Sequence, residues 1–192
     1  MLDPRPVFYV IGLLTVLLGL FMLPPMAVDL YDADPNWRSF ALSSFVTVIV
    51  GAAVTLVCRQ ARRPGLSIHQ IFLLTTLTWA VLPVFAAIPL MTGAPAASLA
   101  DGVFEAMSGL TTTGSTVFAG LDYLPRGTLL WRGLLQWMGG VGIIVVALAF
   151  LPTMKVGGMQ FFRSEGFDTL GKILPRAAEI ALSISWIYLV LT

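Results

Sequence analysis

Between Met107 and Val117 the chain reads MSGLTTTGSTV, and within it Thr111, Thr112, Thr113, Gly114 and Ser115 are the residues whose types and spacing point to chemistry. They bring no carboxylate, thiol or imidazole. What they bring is oxygen without charge: hydroxyls, and a row of carbonyls if the backbone runs extended. A cation shedding its hydration shell needs oxygen ligands, and rings of backbone carbonyls supply them without burying a charge. Gly114 permits the backbone angles that let successive carbonyls point the same way. The β-branched threonines stiffen an extended run. The competing reading is plain: threonines near a glycine are also common in loops and at helix ends.

Other chemistry finds little to work with. The chain has one histidine, His69, and one cysteine, Cys58. It has no G-x-S-x-G or H-E-x-x-H pattern, so a nucleophile with its base is not at hand and the chain is not expected to be an enzyme. His69 lacks the neighbouring His, Cys or carboxylate that a metal site needs. A single cysteine excludes an internal disulfide, and Cys58, at the end of an apolar run, reads as a small packing residue.

The elements that must hold the threonine segment are membrane helices. Hydrophobic residues make up 57% of the 192 and charged residues 11%, against about 25% charged in a soluble domain. Apolar runs at 7–23, 40–57, 68–90 and 129–151 approach or exceed the ~17–25 residues that cross a hydrocarbon core. A fifth run begins near Ala177. The fold class is therefore all-α, a polytopic membrane protein. The first run has only Arg5 before it and no small-residue cleavage site after it, so it reads as a spanning helix rather than a signal peptide.

Charge sets the expected orientation. Arg5, Arg59, Arg62, Arg63, Lys155, Arg163, Lys172 and Arg176 fall on one side of these spans. Arg38, Arg126 and Arg132 fall on the other, together with Asp29, Asp32, Asp34, Asp101, Glu105 and Asp122. The basic side, with the N-terminus, is expected to be cytoplasmic. The acidic outer residues read either as ordinary solvated loops or as a means of raising cation concentration at a pore mouth. Net charge is +1, and no basic cluster is large enough to suggest nucleic acid as a partner.

The outer segment 91–128 is not an ordinary loop. Leu99, Val103, Phe104, Met107 and Leu110 recur at helical spacing, with Ser98 as N-cap and Asp101 in the first turn. About 11 helical residues cover ~16 Å, half a bilayer. A half-length helix between two full spans is the pattern of a re-entrant pore helix, followed here by an extended filter loop. Such backbone is tolerated at membrane depth only where it is buried in protein or lines water.

Other residues stay open between two readings. Gly139, Gly140 and Gly142 are a candidate hinge of the last span, or small residues for close helix packing, which is favoured. Glu105 either steadies the segment by a hydrogen bond or meets an ion directly, the first being favoured. Pro83 and Pro89 are expected to bend the third span. Trp131 and Trp137 read as interfacial or packing aromatics, and Glu179 as a juxtamembrane partner of Arg176.

The order outer helix, pore helix, TTTGS and inner helix resembles the first pore repeat of the Trk/Ktr/HKT superfamily of potassium transporters. The matching stretches are LTW at 77–79, DGVFEAMSGLTTTGSTV at 101–117 and LLWRGLLQWMGGVGIIVVALAFLP at 129–152, then GGMQFFRSEG at 157–166 and KILPRAAEIA at 172–181. The resemblance implies a helix pair at 1–63, a first pore repeat at 64–152, a cytoplasmic loop at 153–176 and the start of a second repeat at 177–192. It implies potassium uptake across the bacterial inner membrane, through a filter of four non-identical loops. Thr111, Thr112, Thr113, Gly114 and Ser115 would be the first loop, with K⁺ at Thr112, Thr113 and Gly114. Gly114 at its position goes with potassium over sodium. No cofactor is implied beyond K⁺ as the transported ion.

The implied partners are the remaining pore repeats, a second copy in a homodimer, the lipid bilayer and a cytosolic nucleotide-binding regulatory subunit. That subunit would meet the stretch at 157–162, with Lys155 and Arg163 contributing. Members of the superfamily carry four repeats and more than twice this length, so the sequence is expected to be a fragment of a longer protein. One quarter of a filter cannot coordinate an ion, because selectivity needs carbonyls converging from four sides. The alternative is a non-conducting membrane scaffold whose Thr-rich segment is an assembly element.

Overall fold

The structure is a computed structural model. It describes residues 3–61 and 66–150, together with 183, 186, 187 and 190. Among the described residues up to Phe150, six α-helices follow in order: α1 (Arg5–Leu20), α2 (Leu23–Tyr31), α3 (Trp37–Cys58), α4 (Ile68–Thr92), α5 (Leu99–Leu110) and α6 (Arg126–Phe150). No strand occurs among the described residues. The chain divides into two units, 1–136 and 137–192. The first holds α1–α5 and the opening turns of α6. In the second, α6 continues to Phe150, and residues 183, 186, 187 and 190 are helical and exposed.

Three stretches are long and apolar enough to cross a membrane: Arg5–Tyr31, Trp37–Cys58 and His69–Thr92, with mean hydropathies of 2.4, 2.3 and 2.2. The 25 residues of α6 reach ~37 Å, also more than a hydrocarbon core. The predicted cytoplasmic loop at 153–176 lies outside the described residues, as do Arg62, Arg63, Lys155, Arg163, Lys172, Arg176 and Glu179. Of the fifth apolar run, the described residues are 183, 186, 187 and 190.

The first span runs further than its apolar pattern suggests. Pro24 and Pro25 read as a stop, yet helix resumes at Leu23 with both prolines in the first turn of α2. There a missing N–H removes no hydrogen bond the helix needs. Asp29, grouped by sequence with the outer solvated acids, is therefore on a helix and fully buried. Glu105 departs from that grouping in the same way, at 2% exposure.

α1 lies against α3 through glycine. A Cβ on Gly51 would sit 2.7 Å from the Val16 backbone nitrogen, so the two helices approach as only small residues allow. Ser44 Oγ on α3 donates to the Gly19 carbonyl on α1 at 2.7 Å. α4 starts from a capping box in which Ser67 and Gln70 bond each other's backbone N–H. Pro83 and Pro89 sit within that helix, which continues unbroken through both.

Trp131, on α6, is fully buried. Its indole N–H donates to the Ala86 carbonyl of α4 at 3.0 Å, and its ring meets Phe40 of α3 edge-on at 6.3 Å. Of the two sequence readings for this residue, packing holds.

Candidate functional site

The half-length helix α5 begins where its sequence says. Ser98 Oγ accepts the Asp101 N–H at 3.2 Å and donates to the Asp101 carboxylate at 2.7 Å. Twelve residues later, after ~18 Å of rise, α5 ends in a reversal. The Thr112 N–H bonds the Gly109 carbonyl at 2.9 Å and the Thr113 N–H bonds the Ser108 carbonyl at 3.0 Å. That pair of bonds is a Schellman motif, which needs a left-handed residue just past the cap. The residue here is Thr112, at φ 57°. A β-branched side chain at positive φ is strained.

Beyond the reversal the chain leaves the helical ladder. Gly114 is again left-handed, at φ 75°, and a Cβ placed there would meet nothing within 4 Å. Glycine is required at this position by backbone angle rather than by lack of room. Residues 112–117 are exposed and without regular structure. Among the described residues, no hydrogen bond reaches the carbonyls of Thr111, Thr112, Thr113 or Gly114. The next carbonyl, that of Ser115, is turned back to α5 and accepts Ser108 Oγ at 2.6 Å. The hydroxyls of Thr111 and Thr113 bond each other at 2.7 Å, and Thr111 also donates to the Met107 carbonyl.

A buried clamp holds the far end of the segment. One oxygen of Glu105, on α5, accepts the Thr116 hydroxyl at 3.0 Å and the Val117 N–H at 3.1 Å. The other oxygen accepts Arg132 of α6, from Nε at 2.7 Å and from Nη2 as well. The Glu105 side chain is 1% exposed and that of Arg132 19%, so the carboxylate is neutralised by its partner. Glu105 thus bonds the backbone just past Ser115, the favoured one of its two sequence readings. Glu105, Ser108, Gly114, Ser115 and Arg132 line one small crevice behind the segment.

The structure brings Thr111–Ser115 together as a continuous stretch, half-buried at Thr111, exposed from Thr112 onward and braced from behind. Gly139, Gly140 and Gly142 lie in the second unit, where α6 runs through them without a break. His69 is exposed in the first turn of α4.

Sequence reasoning missed several supporting residues. By sequence Arg132 falls among the outer positive charges, although its position two turns into an apolar helix signals a buried partner. Ser108, in MSGL, gives no signal by type alone. Asn36 and Thr128, which join Asp29 in a buried polar node, are likewise silent in the sequence.

The family model TrkH, described as cation transport protein, matches residues 37–192. A Trk system potassium uptake protein TrkH of Halomonas elongata is 44% identical over 98% of this chain, and its counterpart in Escherichia coli K12 is 39% identical over the same share. The crystal structure of the potassium transporter TrkH from Vibrio parahaemolyticus superposes with a TM-score of 0.79 at 36% identity, covering 98% of this chain and 37% of that one. The chain spans 39% of the length of those two curated relatives. The family model covers most of the chain, and the chain belongs to the TrkH family of cation transport proteins.

Proposed function

We propose that the chain supplies one filter segment of a potassium-uptake pore. The carrying observation is the end of α5, where a half-length helix gives way to four consecutive carbonyls that accept no hydrogen bond from the described residues. Such carbonyls are the ligands a dehydrating cation needs. Thr111, Thr112, Thr113 and Gly114 offer them, with K⁺ held at Thr112, Thr113 and Gly114. Ser115 serves as the anchored last residue of the same loop, since its carbonyl is occupied by Ser108.

Conduction then needs little chemistry from the protein. An inside-negative potential contributes about 2.3 kcal/mol per charge per 100 mV toward uptake. The filter segment must stay open at the right width, and the Glu105–Arg132 clamp does this without presenting a net charge to the ion. Three further loops complete the ring, supplied by the remaining pore repeats.

The same reading assigns 1–63 to a flanking helix pair, 64–152 to the pore repeat, 153–176 to a cytoplasmic loop and 177–192 to the next repeat. It places the protein in the bacterial inner membrane with a cytoplasmic N-terminus, on the strength of the Lys and Arg distribution. A homodimer and a cytosolic nucleotide-binding subunit, docked near 157–162, are its partners. Gly139, Gly140 and Gly142 serve the close packing of α6 or its bending.

The test is Gly114→Ser in the full-length chain, expressed in a bacterial strain without other potassium uptake. Preference for K⁺ over Na⁺ is expected to fall. Unchanged uptake of both ions would reject the filter assignment.

A further inference from the structure

We propose that Asp29 is a positioning residue for ion selection: from the N-terminal helix pair it fixes the start of α6, and through α6 the clamp behind the filter segment. The inference rests on the filter reading above, but its observations lie elsewhere in the molecule.

Asp29 is fully buried near the end of α2. One carboxylate oxygen accepts the Gly127 N–H at 2.6 Å and the other accepts Asn36 Nδ2 at 2.6 Å. Asn36 Nδ2 also donates to Thr128 Oγ1 at 3.2 Å, while its Oδ1 accepts the Ala94 N–H at 2.9 Å. Thr128 Oγ1 closes the circuit by donating to the Ala94 carbonyl at 3.1 Å. Four places meet here: the end of α2, the N-cap of α3, the α4–α5 connection and the first turn of α6. Two glycines make room for it. A Cβ on Gly127 would collide with the Asp29 carboxylate, and one on Gly93 with Asn36 Oδ1.

A carboxylate against the first free N–H groups of a helix is favourable, and a neutral Asn or Ser would satisfy the same N–H. A buried carboxylate is costly by comparison, and among the described residues no cation pairs with this one. What a carboxyl adds over an amide is a second acceptor oxygen, so that Gly127 N–H and Asn36 Nδ2 are both satisfied.

The consequence runs along α6. Gly127 and Arg132 are five residues apart on one helix, ~7.5 Å along its axis. Trp131 already ties this stretch to α4 through Ala86. Beside the exposed Arg126–Asp32 pair, the buried Asp29 node adds a further point, which sets the rotation of the helix about that tie. Rotation decides where Arg132 points, Arg132 holds Glu105, and Glu105 holds Thr116 and Val117 just past the free carbonyls. The N-terminal pair is thus part of the selection machinery although it contributes no residue to the filter segment.

Full-length chain in a potassium-uptake-deficient strain tests this by the ratio of Rb⁺ to Na⁺ uptake, normalised to inserted protein. Asp29→Asn keeps the size but sets its amide against that of Asn36, and the ratio should fall by about threefold or more. Adding Asn36→Asp restores the match of donor to acceptor between positions 29 and 36, at the loss of the donor to Thr128 Oγ1, and should recover part of the ratio. An unchanged ratio in Asp29→Asn, or no recovery in the paired variant, overturns the proposal. If Asp29→Asn fails to insert, Thr128→Val decides: a lowered ratio supports the proposal and an unchanged one overturns it. Gly114→Ser run in parallel separates the two claims. A shift there with none in Asp29→Asn rejects this inference alone, whereas no shift in Gly114→Ser rejects the filter reading and this inference with it.

Discussion

Arg132 and Glu105 stand 27 residues apart in sequence and meet at 2.7 Å in a largely buried ion pair behind the Thr111–Ser115 segment. Breaking such a pair from one side strands a charge, at a cost of about 3–5 kcal/mol. Glu105→Gln and Arg132→Gln should each lower the melting temperature of the detergent-purified full-length protein and reduce uptake. The double variant should be less damaged than the two losses added together, because no charge is then left alone. Additive losses would show that the two residues act separately.

Ser108 holds the Ser115 carbonyl away from the row of free ones. Ser108→Ala removes that donor at the cost of one hydrogen bond, about 1 kcal/mol. Protein amount and melting temperature should change little, while discrimination between K⁺ and Na⁺ should weaken as the Ser115 end of the loop loosens. Isotope uptake with both ions reads this directly, and intact discrimination would remove Ser108 from the filter support.

Gly114 has open space around it and a left-handed backbone. Backbone angle, not bulk, therefore governs what can replace it. Gly114→Ala should disturb selectivity about as much as Gly114→Ser, since both suffer the roughly 1–2 kcal/mol of a left-handed L-residue. A benign Ala beside a damaging Ser would instead implicate the hydroxyl.

Thr112 holds a conformation that glycine would adopt freely. Thr112→Gly should stabilise the end of α5, offset in part by the greater freedom of glycine in the unfolded chain. Uptake should nevertheless become less selective, because the stiff β-branched residue is gone. Thermal unfolding together with Rb⁺/Na⁺ competition checks both halves. Improved selectivity would mean that the strain serves no purpose in the loop.

Much of this protein was legible in one dimension. Apolar runs of sufficient length announce membrane helices because the bilayer demands uninterrupted apolar surface. Ser98 and Asp101 mark the start of α5 because capping is local chemistry between neighbours. The break after Leu110 is also local, since Thr and Gly leave no apolar face to continue. Even the need for a left-handed glycine at Gly114 follows from residue type.

Tertiary structure decided the rest, and the physical reason is the same in each case. Pro24 and Pro25 look like a stop until α2 restarts around them, and Asp29 then passes from an outer loop into a buried node with Asn36 and Thr128. Arg132 looks like a solvated charge until α6 packs against α5 and brings Glu105 within reach. A charge or amide carries no label for its partner when that partner lies 27 or 98 residues away. Sequence determined which backbone would be left free at the end of α5. Only the packing of α2, α5 and α6 decided what holds that backbone in place.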